Sequence, residues 1–98
     1  MSKAAIKHPY ITQDKRICRG SPIISGTRTR VIDIVIEHEY LGYTPDAIVD
    51  AHPYLNLSQV YDVLSYYYEH REKLDQEIRE RKVQVEELRK QHQLKINE

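Results

Sequence analysis

The chain has no tryptophan and no phenylalanine, a single methionine and a single cysteine, only three glycines and four prolines, and no long apolar run. With Cys18 alone, an internal disulfide and any cysteine-based zinc cluster are excluded, which fits a reducing compartment. No stretch approaches the roughly 18 apolar residues that span a bilayer, and the N-terminus lacks an apolar signal core; no membrane association is expected, and the expected compartment is the cytoplasm. There is no glycine-rich phosphate loop, no nucleophile elbow and no acid pair with a reason to be buried together, so an enzyme is argued against. Histidines 8, 38, 52, 70 and 92 show neither i,i+4 pairing nor neighbours at metal-ligand spacing, and no metal or cofactor is expected.

One charge sign is missing from a long stretch. From Val31 to His70 there are seven acids and not one Lys or Arg, whereas Met1 to Arg30 holds seven Lys or Arg against Asp14 alone. The remainder nearly balances, so a formal net charge of zero conceals a basic arm joined to an acidic body. Such an asymmetry suits nucleic-acid contact and equally suits docking of one subunit's arm on another's body. Ninety-eight residues build one modest core, and oligomerisation, as dimer or tetramer, is an expected source of added stability. All eight aromatic residues are tyrosines, which favour boundaries where one end packs and the hydroxyl stays wet.

The local signals predict a mainly α fold: a short N-terminal β-ribbon, a three-helix helix-turn-helix-like body and a long C-terminal helix. Residues 1–9 read as a tail, 10–75 as the domain and 76–98 as the extended helix. Ile11 to Ile17 and Pro22 to Val31 are expected to be extended around a turn at Arg19-Gly20-Ser21-Pro22, with a bend or bulge at Gly26. Such a ribbon is marginal alone and is expected to pack on a second copy. Apolar spacing at Val31, Ile34, Val35, His38 and Leu41, followed by Gly42, predicts the first helix. Thr44-Pro45-Asp46 supplies a cap, a first-turn proline and a first-turn acid for a second, running to about Ala51. Asn56 with Gln59 makes a capping-box-like start for the third, and nothing breaks it before about Leu94.

That last helix would be roughly 55 Å long at 1.5 Å per residue. Val60, Leu64, Tyr67, Arg71, Leu74, Ile78, Arg81, Val85, Leu88 and His92 follow a heptad seam that Arg71 and Arg81 interrupt. A broken seam suits a helix received in a partner's groove, which nominates Tyr67, Leu74, Ile78, Val85 and Leu88 as partner-binding residues; a solvated helix held by i,i+4 ion pairs is the plainer reading. The helix-turn-helix outline is a weak signal, because among Ser58, Gln59, Asp62 and Ser65 only Gln59 could read a base. Arg16, Arg19, Arg28 and Arg30 gather four guanidinium groups on the ribbon and are the other DNA-contact candidates. The Tyr66-Tyr67-Tyr68 run covers so much of a helix circumference that at least one ring should face an interface.

The strings Ile11-Thr12, Gly20-Ser21-Pro22-Ile23-Ile24-Ser25-Gly26-Thr27-Arg28 and Gly42-Tyr43-Thr44-Pro45-Asp46-Ala47-Ile48 are continued by Pro53-Tyr54-Leu55 and by Val60 through Leu64 to Tyr67-Tyr68 with His70-Arg71-Glu72. Together they resemble the domain of unknown function 433 family, whose members look like antitoxins of a VapBC-type toxin–antitoxin pair. The resemblance covers about Tyr10 to Asp75. It implies a helix-turn-helix-like body, homo-oligomerisation, binding to a PIN-like ribonuclease toxin and repression of its own operon. Val63, Asn56, Ser58 and Gln59 depart from the family's usual residues, which leaves the fold expectation intact and adds nothing for DNA binding. Two other readings stay open: a stand-alone DNA-binding regulator, and a structural homo-oligomeric module.

Overall fold

The structure is a computed structural model that describes residues 7–96; within its last helix the side chains of residues 85, 89 and 92–96 fall outside that description. Residues 1–6 of the expected tail, and the seam positions Val85 and His92 as side chains, thus lie outside the described residues. The architecture is mainly helical, with a two-stranded antiparallel ribbon at the N-terminus and a long helix at the C-terminus. The overall extents are 66 × 29 × 23 Å.

The ribbon is shorter than its sequence pattern suggests. Strand β1 is Ile11–Thr12 and β2 is Ile23–Ile24, paired Ile11 to Ile24 and Thr12 to Ile23. A second turn brings Arg30 back beside Ile23, with the Ile24 N–H donating to the Thr29 carbonyl at 2.9 Å and the Val31 N–H to the Pro22 carbonyl at 2.9 Å. Between the strands the chain turns rather than extends. A 3-10 turn at Cys18–Gly20 carries left-handed backbone at Cys18 (φ 51°) and Arg19 (φ 57°), a conformation that costs most residues about 1–2 kcal/mol. The expected extended segments 11–17 and 22–31 are corrected accordingly. The ribbon is not a free arm: Ile23 and Ile24 are buried and Ile11 packs on the same core.

The first helix begins as expected, with α1 at Val31–Val35, and then widens into a π-helical turn at Ile36–Tyr40. The Leu41 N–H reaches the Ile36 carbonyl at 3.0 Å. The extra residue in that turn rotates the positions beyond it, so Leu41, expected on the buried face, is exposed. Gly42, at φ 77°, allows Tyr43 to double back and donate to the Glu37 carbonyl at 2.9 Å. Helix α2 (Pro45–Ala51) starts at Thr44, whose hydroxyl accepts from the Ala47 N–H at 3.1 Å. Helix α3 (Leu57–Glu69) starts on the reciprocal box in which Gln59 N–H donates to Asn56 Oδ1 at 3.0 Å and Asn56 N–H to Gln59 Oε1 at 2.8 Å.

The single long third helix is two helices. The backbone breaks at His70 (φ −125°, ψ 34°), and α4 runs from Arg71 to Ile96. No proline or glycine causes the break. Folding back places Leu74 and Ile78 in the core, and burying each is worth roughly 1.5–3 kcal/mol. That outweighs the one or two helical hydrogen bonds disturbed at the bend, at about 0.5–1.5 kcal/mol each. The core comprises Ile24, Val31, Ile32, Ile34, Val35, Ile48, Leu55, Val60, Val63, Leu64, Tyr67, Leu74 and Ile78. No helix among the described residues is long and apolar enough to cross a membrane.

Candidate functional site

The four arginines of the N-terminal region do not act as one cluster. Asp14 holds Arg16, with Nε at 3.1 Å and Nη2 at 3.0 Å from its carboxylate oxygens, and this contact draws the Asp14 carboxyl below its usual range. Asp33 holds Arg30, with Nη2 at 2.9 Å and Nε at 3.1 Å, and also accepts from the Arg30 N–H at 3.0 Å at the start of α1. Arg19 and Arg28 are exposed and enter no ion pair or side-chain hydrogen bond among the described residues. Arg19 and Arg30 line one groove together, and Arg28 lines the next. Gln59, the proposed base reader, has its carbonyl oxygen engaged in the capping box of α3 and is half-buried.

The partner-binding candidates separate as sharply. Tyr67, Leu74 and Ile78 are 2%, 1% and 0% exposed, so the chain's own core takes up three of the five, and they are not a free surface. The reason is the bend at His70, which turns the first two turns of α4 onto the body. Leu88 is 65% exposed, and the neighbouring Val83, which the seam did not nominate, is 61% exposed. The two seam interruptions have structural explanations. Arg71 lies over the rings of Tyr67 and Tyr68, 5.7 and 5.9 Å from their centroids, and its Nε is 3.7 Å from Asp75. Arg81 faces the groove beside the N-terminal loop, with Glu80, Glu77 and Lys73 lining it from earlier positions on the same helix. Sequence periodicity marked Arg81 only as an interruption of the seam and passed over Lys73 and Tyr54, because a groove formed between a loop and a helix leaves no periodic trace in either.

The acidic body is met within the chain by the segment that leads into β1. His8 Nδ1 lies 2.8 Å from Asp62 Oδ1, and its Nε2 bonds Glu69. Lys7 Nζ is 2.7 Å from Glu69, and the Tyr10 N–H donates to Asp62 Oδ2 at 3.1 Å. Burial disfavours a charged His8, but its bonds to Glu69 and Asp62 and their negative charge outweigh burial and raise its pKa above the ordinary imidazole value. Lys7 and His8 together draw the Glu69 carboxyl below its usual range. Elsewhere His52 Nε2 is 2.7 Å from Glu37, and His38 Nδ1 donates to the Tyr43 carbonyl at 2.8 Å. Among the described residues no group of three or more His, Cys, Asp or Glu side chains is placed to hold a metal ion.

A small helical body fronted by a two-stranded ribbon, with a helix-turn-helix-like α2–α3 pair and a long fourth helix whose first two turns pack on it, places the chain in the mainly α class. The chain belongs to the DUF433 family, described as proteins of unknown function, whose sequence profile matches residues 11–67. The fold is similar to that of a crystal structure of a DUF433 member protein from Anabaena variabilis, with a TM-score of 0.64 at 23% identity over 70% of this chain and 67% of that one. No curated protein matches the chain.

Proposed function

We propose that the chain is an antitoxin-like, non-catalytic protein of a type II toxin–antitoxin system, which binds and neutralises a PIN-like ribonuclease toxin and binds its own operator DNA. The observation that carries the reading is the course of α4. The helix continues to Ile96, but the last of its residues in the core is Ile78. Beyond that point Val83 and Leu88 are exposed on a segment dominated by charged and polar residues. A helix received in a partner's groove through a few apolar anchors is a recurring mode of protein recognition, and it suits an inhibitor that must cover a nuclease site. The family resemblance supports the same reading. Self-association into a dimer or tetramer in the cytoplasm belongs to the proposal.

The stand-alone DNA-binding regulator is the second reading, favoured by the unpaired Arg19 and Arg28. The α2–α3 pair contributes no Lys or Arg to it, and Asp46 and Asp50 are exposed on α2. The discriminating experiment is a tagged pull-down from the native lysate, followed by size-exclusion chromatography with light scattering. A stoichiometric small nuclease that is lost on Leu88→Asp supports the antitoxin reading; a homo-oligomer without a protein partner removes it in favour of the regulator or the structural module.

A further inference from the structure

Two shallow grooves adjoin where α4 passes the N-terminal loop. The first, of about 600 Å³, is lined by Arg19, Arg30, Lys73, Glu77 and Arg81 among others. The second, of about 640 Å³, is lined by Arg28, Thr29, Glu37, His52, Tyr54 and Arg81 among others. Arg81 lines both, so its side chain borders the two adjoining grooves.

Several of the lining charges are already matched. Arg30 is held by Asp33 and His52 by Glu37, while the two groove glutamates keep their charge, Glu77 accepting from the Ser21 hydroxyl and Glu80 from the Gln76 amide at 3.0 Å. Arg19, Arg28, Lys73 and Arg81 make no ion pair or side-chain hydrogen bond among the described residues, although Arg81 is half-buried. A partly desolvated guanidinium with no acid within ion-pair distance favours an anionic ligand. Lys73 and Arg81 are about 12 Å apart along the helix at 1.5 Å per residue, a span of several phosphates of one strand.

Tyr54 gives the ligand its second chemical feature. The residue is 58% exposed, yet its orientation is fixed. Its hydroxyl bonds the Thr29 hydroxyl, and its ring packs edge-on against His52, with centroids 5.9 Å apart and planes at 82°. His52 is in turn fixed by Glu37 at 2.7 Å. An exposed ring so braced, in the same groove as two unpaired arginines, is the combination that single-strand readers use, with cations following the backbone and an aromatic face receiving a base. A duplex keeps its base faces stacked and would leave the ring idle; an acidic peptide would use the cations but not the ring. We propose that this groove binds single-stranded nucleic acid, with phosphates on Arg19, Lys73, Arg81 and Arg28 and a base stacked on Tyr54. The site takes Arg81 from just beyond the last core residue of α4 but uses neither Val83 nor Leu88, and it stands whether or not the antitoxin reading holds.

The test is fluorescence anisotropy on the full chain at low salt, with labelled oligouridine and oligothymidine of about a dozen nucleotides and a duplex of equal length. Both single strands, or one of them, should bind more tightly than the duplex; a preference between them assigns RNA or DNA as the source. Tyr54→Ala should weaken binding about 5- to 150-fold, and Tyr54→Phe, which keeps the ring, should retain most of it. Arg81→Gln should reduce the slope of log affinity against log salt by about 0.7. Circular dichroism melts confirm that each variant folds, and Tyr54→Ala, at an exposed position, carries the test if Arg81→Gln does not fold. The proposal is overturned if no single strand binds, if the duplex binds more tightly, if polyglutamate competes as well as the oligonucleotide does, or if Tyr54→Ala binds like the parent.

Discussion

The Tyr67 hydroxyl donates to Asp75 Oδ1 at 2.7 Å, across the bend at His70, and so ties the end of α3 to the start of α4. Tyr67 is also a core residue, 2% exposed. One side chain thereby joins the hydrophobic centre to the bend that directs the C-terminal helix.

That link carries an alkaline signature. Burial, with the hydrogen bond to Asp75 and that residue's charge, pushes the Tyr67 pKa up to about 12. Because the folded-state pKa is raised, the contribution is complete below the ordinary tyrosine value of about 10 and is lost as pH rises toward 12. Tyr67→Phe should cost about 0.5–1.5 kcal/mol at neutral pH and flatten this part of the alkaline loss. Urea melts of both proteins across that range check it: parallel losses in parent and variant would show that Tyr67 is not the titrating group.

The contact of His8 with α3 should have a bounded pH window. The raised His8 pKa makes its contribution complete below the unfolded value of about 6.5 and lost as pH rises through the higher folded value. The lowered Glu69 pKa makes its contribution present above about 4.5 and lost as pH falls through the lower folded value. The Tyr10 amide, which donates to Asp62, should therefore be most protected from hydrogen exchange, after correction for intrinsic rates, from about pH 4.5 to 6.5. In His8→Ala the window should vanish; a protection profile identical to the parent's would refute the contact's role.

Ile78 and Leu88 share a helix but should behave as different kinds of residue. Ile78→Ala removes a fully buried side chain and should cost about 2–5 kcal/mol. Leu88→Asp, at a position 65% exposed, should leave stability within about 0.5 kcal/mol while abolishing capture of a protein partner. Thermal melts beside pull-downs separate the two, and a large stability loss in Leu88→Asp would show that the far half of α4 packs on the chain's own body.

Asn56→Ala should destabilise by about 0.5–2 kcal/mol, because it removes the acceptor for the Gln59 N–H at the start of α3. Gln59→Ala should cost less, since only the return bond to the Asn56 N–H is lost. Denaturant midpoints rank the two. If Gln59→Ala were the costlier change, the side chain would have a role beyond the cap.

Local chemistry was legible in the residues themselves. The Thr44 and Asn56 caps, the start of the first helix at Val31 and Gly42 beyond its end all arise from side chains that act on their own or adjacent turns. The heptad seam correctly grouped Val60, Leu64, Tyr67, Leu74 and Ile78 as one apolar set. Sequence spacing could not say what that set packs against. Tertiary burial decided it: no breaker marks His70, and the bend exists because folding Leu74 and Ile78 onto Ile34, Val35 and their neighbours outweighs a disturbed turn. The π-helical turn that rotates Leu41 outward is likewise absent from any periodic pattern. Arg16 with Asp14 and Arg30 with Asp33 are local pairs, two and three residues apart, but that Arg19, Arg28, Lys73 and Arg81 gain no acid partner from elsewhere in the chain had to await the fold. The strength of a charge depends on which acids and how much water lie within a few ångströms, and for residues far apart in the chain only the tertiary structure sets those distances.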